Sequence, residues 1–174
     1  MTGSSDTSAL DAVCELIDQP QYEEEGEFDV ERGYIFTSCS AAENGNPLFW
    51  DDDVAAEITG GPVAPPSMIS VWFRPHHWSP YRDEPGLPLR VHFDLKERLG
   101  LPEAVMTGNE VVFGEPVRPG DRLTTRQFLR SLSDEKTTKL GTGRFWVIDV
   151  EYTNQDGAHV GTETWTGFGY RREP

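Results

Sequence analysis

The spacing of hydrophobic positions changes part-way along the chain. Up to about residue 73 they recur at helical intervals; from residue 110 they alternate with polar ones. Residues 1–7 read as disordered. In SALDAVCELI (8–17), Leu10, Val13, Cys14, Leu16 and Ile17 share a helical face behind a Ser8 cap. The acidic stretch EEEGEFDVE (23–31) reads as a solvated link. A second helix, VERGYIFTSCSAAE (30–43), follows with Asp29 as its cap, and Val30, Tyr34, Ile35, Cys39 and Ala42 fall near one side. The chain turns at AENGNP, where Asn and Gly tolerate left-handed backbone and Pro47 stops the helix. A short helix over 51–58 carries acids at its N-terminal end. The stretch TGGPVAPPSMISVWF (59–73) then predicts a helix starting at Pro65 or Pro66. Met68, Ile69, Val71, Trp72 and Phe73 make it apolar around most of its circumference, so it belongs in an interior.

Residues 74–91 read as a long ordered loop rich in Pro and aromatics, and DLKERLG (94–100) as one or two helical turns. Strands are expected at 110–113, 121–132, 143–152 and 159–170, with turns at RPGD (118–121) and NQDG (154–157). In the third strand Trp146, Ile148, Val150 and Tyr152 lie on one face, and Asp149 and Glu151 on the other. Helices first and a meander second argue for an α+β fold, with an antiparallel sheet packed on, or wrapped around, the 66–73 helix. No internal repeat is visible. The expected division is an N-terminal segment with a short helix over 1–26 and one domain over 27–174.

Length and composition narrow the function classes. With 174 residues and 36% hydrophobic residues the chain buries one core. A formal net charge of −15, from 30 acids against 15 bases, argues against a nucleic-acid partner, which would need a basic stripe where this sequence has one adjacent basic pair, Arg171-Arg172. Two cysteines, Cys14 and Cys39, make neither a disulfide framework nor a metal site and read as buried, inert thiols. No apolar run approaches the ~20 residues of a membrane span, and the first residues lack a signal pattern. The expected compartment is the cytoplasm.

Three stretches together, YIFTSCSAAENGNPLFWDDDVA, GGPVAPPSMISVW and FGEPVRPGDRLTTR, resemble the MaoC-like branch of the hot-dog fold, which contains (R)-specific enoyl-CoA hydratases and dehydratases. The resemblance runs from about residue 27 to residue 170. It implies a sheet curled round a central helix and a CoA thioester as substrate, with no other cofactor and no metal. Hydration of a 2-enoyl thioester needs a base to take a proton from water and an acid to protonate the α-carbon; donors must also hold the developing enolate. Members of the family place an Asp and a His in a loop of the form Asp-x-Asn-Pro-Leu/Ile-His. Aligned on Asn46-Pro47-Leu48, this chain has Asn44 at the Asp position and Phe49 at the His position. An amide has no proton to give or take near neutral pH, and a phenyl ring has no polar atom.

Fallback acids and bases are Glu43, read otherwise as a solvated acid, Asp51, read otherwise as a helix cap, and His76 in the loop after the apolar helix. His92 and His159 read as ordinary partly buried or surface groups, and Ser67 as a first-turn residue. The family also contains heteromers in which a hot dog bearing the dyad pairs with one that has lost it. The dyad-free partner extends the sheet across the pair and makes room for a bulky acyl chain. This chain resembles the dyad-free type, and GGPVAPPSMISVW is similar to actinobacterial subunits that hydrate steroid side-chain enoyl-CoA thioesters. Such subunits can carry a C-terminal module, expected here to be absent or separate.

The implied partners are an acyl-CoA ligand and a second MaoC-like subunit carrying the Asp/His pair, with no nucleic acid and no membrane. Pro65 and Pro66 lack amide hydrogens and suit a wall better than an oxyanion hole. Met68 and Trp72 either line an apolar tunnel or fill the core. Arg74, Arg82 and Arg90 are candidates for a CoA phosphate or for pairing with local acids. Two other readings remain open: an acyl-CoA or acyl-carrier binding protein without chemistry, and a self-sufficient hot-dog thioesterase or hydratase using Glu43, Asp51 or His76.

Overall fold

A computed structural model of the chain describes residues 3–74, 80 and 87–172, with side chains from residue 8 onward. Helix α1 (Gly3–Cys14) leads to strand β1 (Pro20–Glu25), then to α2 (Arg32–Ala41) and α3 (Asp52–Thr59). Helix α4 (Arg90–Arg98) precedes β2 (Glu103–Phe113), β3 (Thr124–Leu132), β4 (Lys136–Thr138), β5 (Gly141–Thr153) and β6 (His159–Arg171). The sheet is antiparallel in the order β1-β3-β5-β6-β2, with the short β4 paired to the start of β5. The expected antiparallel α+β architecture is therefore present. Among the described residues no helix is long and apolar enough to cross a membrane.

Strand β5 organises the interior. Trp146, Ile148, Val150 and Tyr152 alternate onto one face and are all buried, while Asp149 and Glu151 on the other face hold Arg130 at 2.7 Å each. The inner stripe is covered by two different sets of elements. Trp146 and Ile148 pack with Val13 of α1, Val91 and Leu95 of α4, and Leu129. Val150 and Tyr152 pack with Ile35 and Cys39 of α2 and with Met68 and Ile69. Trp146 is fully buried and lies across β6, where a Cβ on Gly167 or Gly169 would collide with its indole. Glycine is required there by close approach rather than by a special backbone angle.

Several elements differ from the sequence reading, each for a physical reason. The predicted 66–73 helix is two single 3-10 turns, Pro66–Met68 and Val71–Phe73, closed by i→i+3 bonds such as Met68 N–H to Pro65 O (2.9 Å). Two prolines at its start remove donors, and Pro75 favours extended backbone at Arg74 (ψ 117°). Helix α4, longer than the expected turns over 94–100, covers the Trp146 end of the sheet, and buried Gln127 accepts the Val91 N–H at 3.1 Å.

The acidic stretch is not only a link, because β1 runs through Glu25 and pairs with β3. Helix α1 begins at Gly3, so Ser8 is inside it rather than its cap, and Cys14 is exposed rather than buried. Asp29 does not cap α2; it pairs with Arg122 at 2.9 Å, and Glu31 stands at the N-cap without a side-chain bond. Strand β2 starts seven residues before the expected 110, since this edge strand is mostly exposed and carries no alternating apolar signal.

Candidate functional site

The loop at the family's catalytic position is built by its own short-range bonds. After α2, Asn44 N–H donates to Cys39 O (2.8 Å), with Glu43 held at φ 50°. The Asn44 side-chain oxygen accepts Asn46 N–H (3.1 Å), and that of Asn46 accepts Leu48 N–H (3.1 Å). These are Asx turns, and they wind Pro47–Phe49 into one 3-10 turn. Trp50 Nε1–H returns to Asn44 O at 2.7 Å, and its indole stacks on Phe36 at 5.1 Å. Asp51 caps α3 by accepting from Asp53 N–H (2.9 Å) and Val54 N–H (3.3 Å), and Arg32 of α2 grips Asp52 with both terminal nitrogens.

Against this loop lies an apolar cavity of about 160 Å³. Leu48, Phe49, Pro66, Ile69, Val117 and Val160 line it. Among the described residues, Glu115 is the sole titratable side chain in its lining. The lining hydroxyl of Thr59 is already committed to Ala55 O (2.9 Å) and Gly61 O (2.8 Å). Arg118, one residue beyond the lining, closes the same corner by donating to Thr59 O (2.5 Å) and Gly61 O (3.2 Å). Such a cavity can hold a hydrocarbon. Among the described residues, the loop positions Asn44 and Phe49 bring no titratable group to it.

The predicted residues fall in different places. Asn44 is half-buried and spends its oxygen on loop geometry; Phe49 is cavity wall, packed on the first core cluster. Glu43 and Asp51 are exposed. His76 lies outside the described residues, as does Arg82. Pro66 lines the cavity, whereas Pro65, Met68 and Trp72 are not among its lining residues. Met68 is buried in the core, and Trp72 sits edge-on to Tyr34 at 5.6 Å. Arg90 pairs with Glu24 at 2.8 Å.

Sequence reasoning took Tyr152 only as a core residue and read His92 and His159 as ordinary partly buried or surface groups; the fold gives each a definite setting. His159 stands beside Gly114 of the cavity wall, where a Cβ would be 2.9 Å from its Nδ1, and its Nε2 meets Thr162 Oγ1 at 2.8 Å. Tyr152 donates to Glu163 at 3.0 Å inside the sheet's inner face. Burial, reinforced by that carboxylate, holds the Tyr152 phenol far above its usual range, so it stays a donor at any physiological pH. His92 is buried on α4 against the Trp146 ring, and burial, with Lys96 nearby, pushes its pKa down. The pairing of Val150 with Glu163 across β5 and β6 is long-range, so no local pattern in the sequence marks it.

An antiparallel sheet wrapped on helical cover, with an apolar cavity beside an Asn-Pro-Leu loop, defines a hot-dog protein of the dehydratase kind. The model of the family described as "FAS1-like, dehydratase domain region" matches residues 20–163, and the chain belongs to that family, of the MaoC-like type. A probable enoyl-CoA hydratase alpha subunit of Thermomonospora curvata is 32% identical over 123 residues, 69% of this chain and 38% of that protein. The 3-oxo-4,17-pregnadiene-20-carboxyl-CoA hydratase alpha subunit of Mycobacterium tuberculosis is 32% identical over 121 residues, 64% of this chain and 35% of that one. The chain thus spans little more than a third of the curated relatives it matches. In structure it is similar to a chain of the ChsH1–ChsH2 complex of M. tuberculosis, with a TM-score of 0.79 at 24% identity over 97% of this chain and 94% of that one. It also resembles the MaoC-like dehydratase of Rhodospirillum rubrum, with a TM-score of 0.59 at 18% identity, covering 88% and 93% of the two chains.

Proposed function

We propose that this chain is the non-catalytic, substrate-accommodating subunit of a heteromeric enoyl-CoA hydratase. A second MaoC-like hot dog supplies the Asp and His that activate water. The observation that carries this is the apolar cavity walled by Phe49, together with the amide and phenyl ring of Asn44 and Phe49 at the two loop positions where the family's Asp and His would stand. In the reaction, water adds its oxygen to C3 of the enoyl thioester and a proton is delivered to C2. Both transfers fall to the partner, while this chain's apolar wall holds acyl bulk.

The partner's seat is the free edge of β2, which bonds to β6 on one side and to no described strand on the other. Its exposed Met106, Val112 and Phe113 give that edge an apolar character that a lone sheet would have to protect. The names of the curated relatives support an enoyl-CoA substrate, and one of them makes a steroid side-chain thioester the candidate acyl group. The test is hydration of a bulky 2-enoyl-CoA by this chain alone, by a MaoC-like partner alone, and by the two mixed. Full turnover only in the mixture is expected. Ligand binding with no gain of turnover from any partner would favour a plain acyl-CoA binding protein.

A further inference from the structure

At the other end of the sheet a second cavity, of about 190 Å³, opens between α1, the C-terminal end of α4 and the ends of β5 and β6. Arg98, Arg144 and Arg171 all line it, against one carboxylate, Glu135. That concentration is unexpected in a chain with twice as many acids as bases. Elsewhere Arg32, Arg90, Arg122, Arg126 and Arg130 each hold a carboxylate within 2.9 Å. None of the three cavity arginines has a carboxylate at ion-pair distance among the described residues. Arg171 spends Nε on Gly100 O (2.7 Å) and one terminal nitrogen on Leu99 O (2.9 Å), closing the end of α4. Arg144 spends one terminal nitrogen on Ser133 O at 2.8 Å. A guanidinium carries five N–H donors, so most of the donors around this cavity are uncommitted.

We propose that Arg98, Arg144 and Arg171 form an anion site for a phosphate group, either free phosphate or the phosphorylated nucleotide end of a CoA thioester. Planar guanidinium forks match phosphate oxygens, and three of them less the Glu135 carboxylate leave two positive charges to balance a dianion. The CoA source rests on the proposed function and follows from sheet geometry. Phe113, at the far end of β2, lines the same cavity as Phe49, whereas Leu101, just before β2, lines the arginine cavity. Antiparallel pairing of this β2 with the partner's equivalent strand therefore sets the arginine end of this chain beside the partner's dyad loop. The two cavities of one chain are no match for one ligand, because Val160 and Arg171 stand roughly 36 Å apart along β6. The acyl wall and the phosphate site of this chain would thus serve different ends of the heteromer.

Calorimetric titration of the full chain with inorganic phosphate and with 3′,5′-ADP tests this, using Arg98→Gln as the variant because, among the described residues, Arg98 anchors no carbonyl, unlike Arg144 and Arg171. Phosphate binding that weakens about tenfold in Arg98→Gln, with an unchanged melting temperature, is expected. Equal affinity in wild type and variant, or no phosphate binding by wild type, overturns the site. Tighter binding of 3′,5′-ADP than of phosphate, with the same loss in the variant, assigns the CoA end; equal affinities assign free phosphate and remove the CoA source. Arg98-dependent phosphate binding without any partner-dependent hydration would sink the proposed function and leave the anion site standing.

Discussion

Replacing Phe49 with alanine separates a wall from a catalyst. Phe49 is half-buried, packs on the cluster around Ile35, Met68 and Val150, and has open space on its cavity side. A fully enclosed Phe→Ala change costs about 3–5 kcal/mol. With one side of the ring already facing a void of about 160 Å³, roughly half of that packing is lost, or about 2 kcal/mol. For a domain of this size that lowers the melting temperature by roughly 4–8 °C. Urea unfolding followed by fluorescence gives the free energy, and hydration in the presence of the partner gives the functional arm. Bulkier acyl groups should gain relative to short ones as the wall recedes, with turnover of the bulky substrate within about threefold of wild type, well inside the 10² to 10⁴ that loss of an acid–base group costs. A stability change below about 0.5 kcal/mol together with an unmoved acyl preference would refute the placement of Phe49 as cavity wall.

Two further outcomes follow from buried groups away from the cavity. His92 is held neutral by burial, so its folded-state pKa lies below the unfolded value near 6.5. The unfolded chain then takes up a proton that the folded chain refuses, and stability is lost as pH falls below about 6.5 toward the depressed value. His92→Gln should flatten the stability profile over that window; an unchanged slope contradicts the assignment. Gly167→Ala places a methyl inside the Trp146 indole and should cost about 1–3 kcal/mol in urea unfolding, while Gly45→Ala, with nothing within 4 Å, should be near neutral.

The sheet was legible because β5 writes its burial into strict alternation, from Trp146 to Tyr152. The cap at Asp51 and the turns at Asn44–Asn46 and Asn154 were legible for a similar reason: Asx side chains act on backbone two or three residues away. Elements whose fate is decided at long range were not. The 66–73 segment is apolar enough for a buried helix, yet the prolines at both ends of it in the sequence decided its backbone, and Met68 and Ile69 reach the sheet from 3-10 turns. Strand β2 is an edge, so its solvent-facing residues carry no period-2 signal. The arginine cavity draws Arg98, Arg144 and Arg171 from three distant elements and leaves no local motif. At the loop, alignment on Asn46-Pro47-Leu48 pointed to Asn44 and Phe49; that Phe49 shares a wall with Pro66 and Val160 required the fold.

The central claim, that water is activated by groups from another polypeptide, is tested most directly by a swap of knockouts in the reconstituted pair. Substituting the Asp or the His of the MaoC-like partner should cut hydration of a bulky 2-enoyl-CoA by about 10² to 10⁴ each. Substituting Glu43, Asp51 or His76 of this chain should leave turnover within a few-fold once correct folding is verified. Turnover by this chain alone, abolished by one of those three substitutions, would contradict the account.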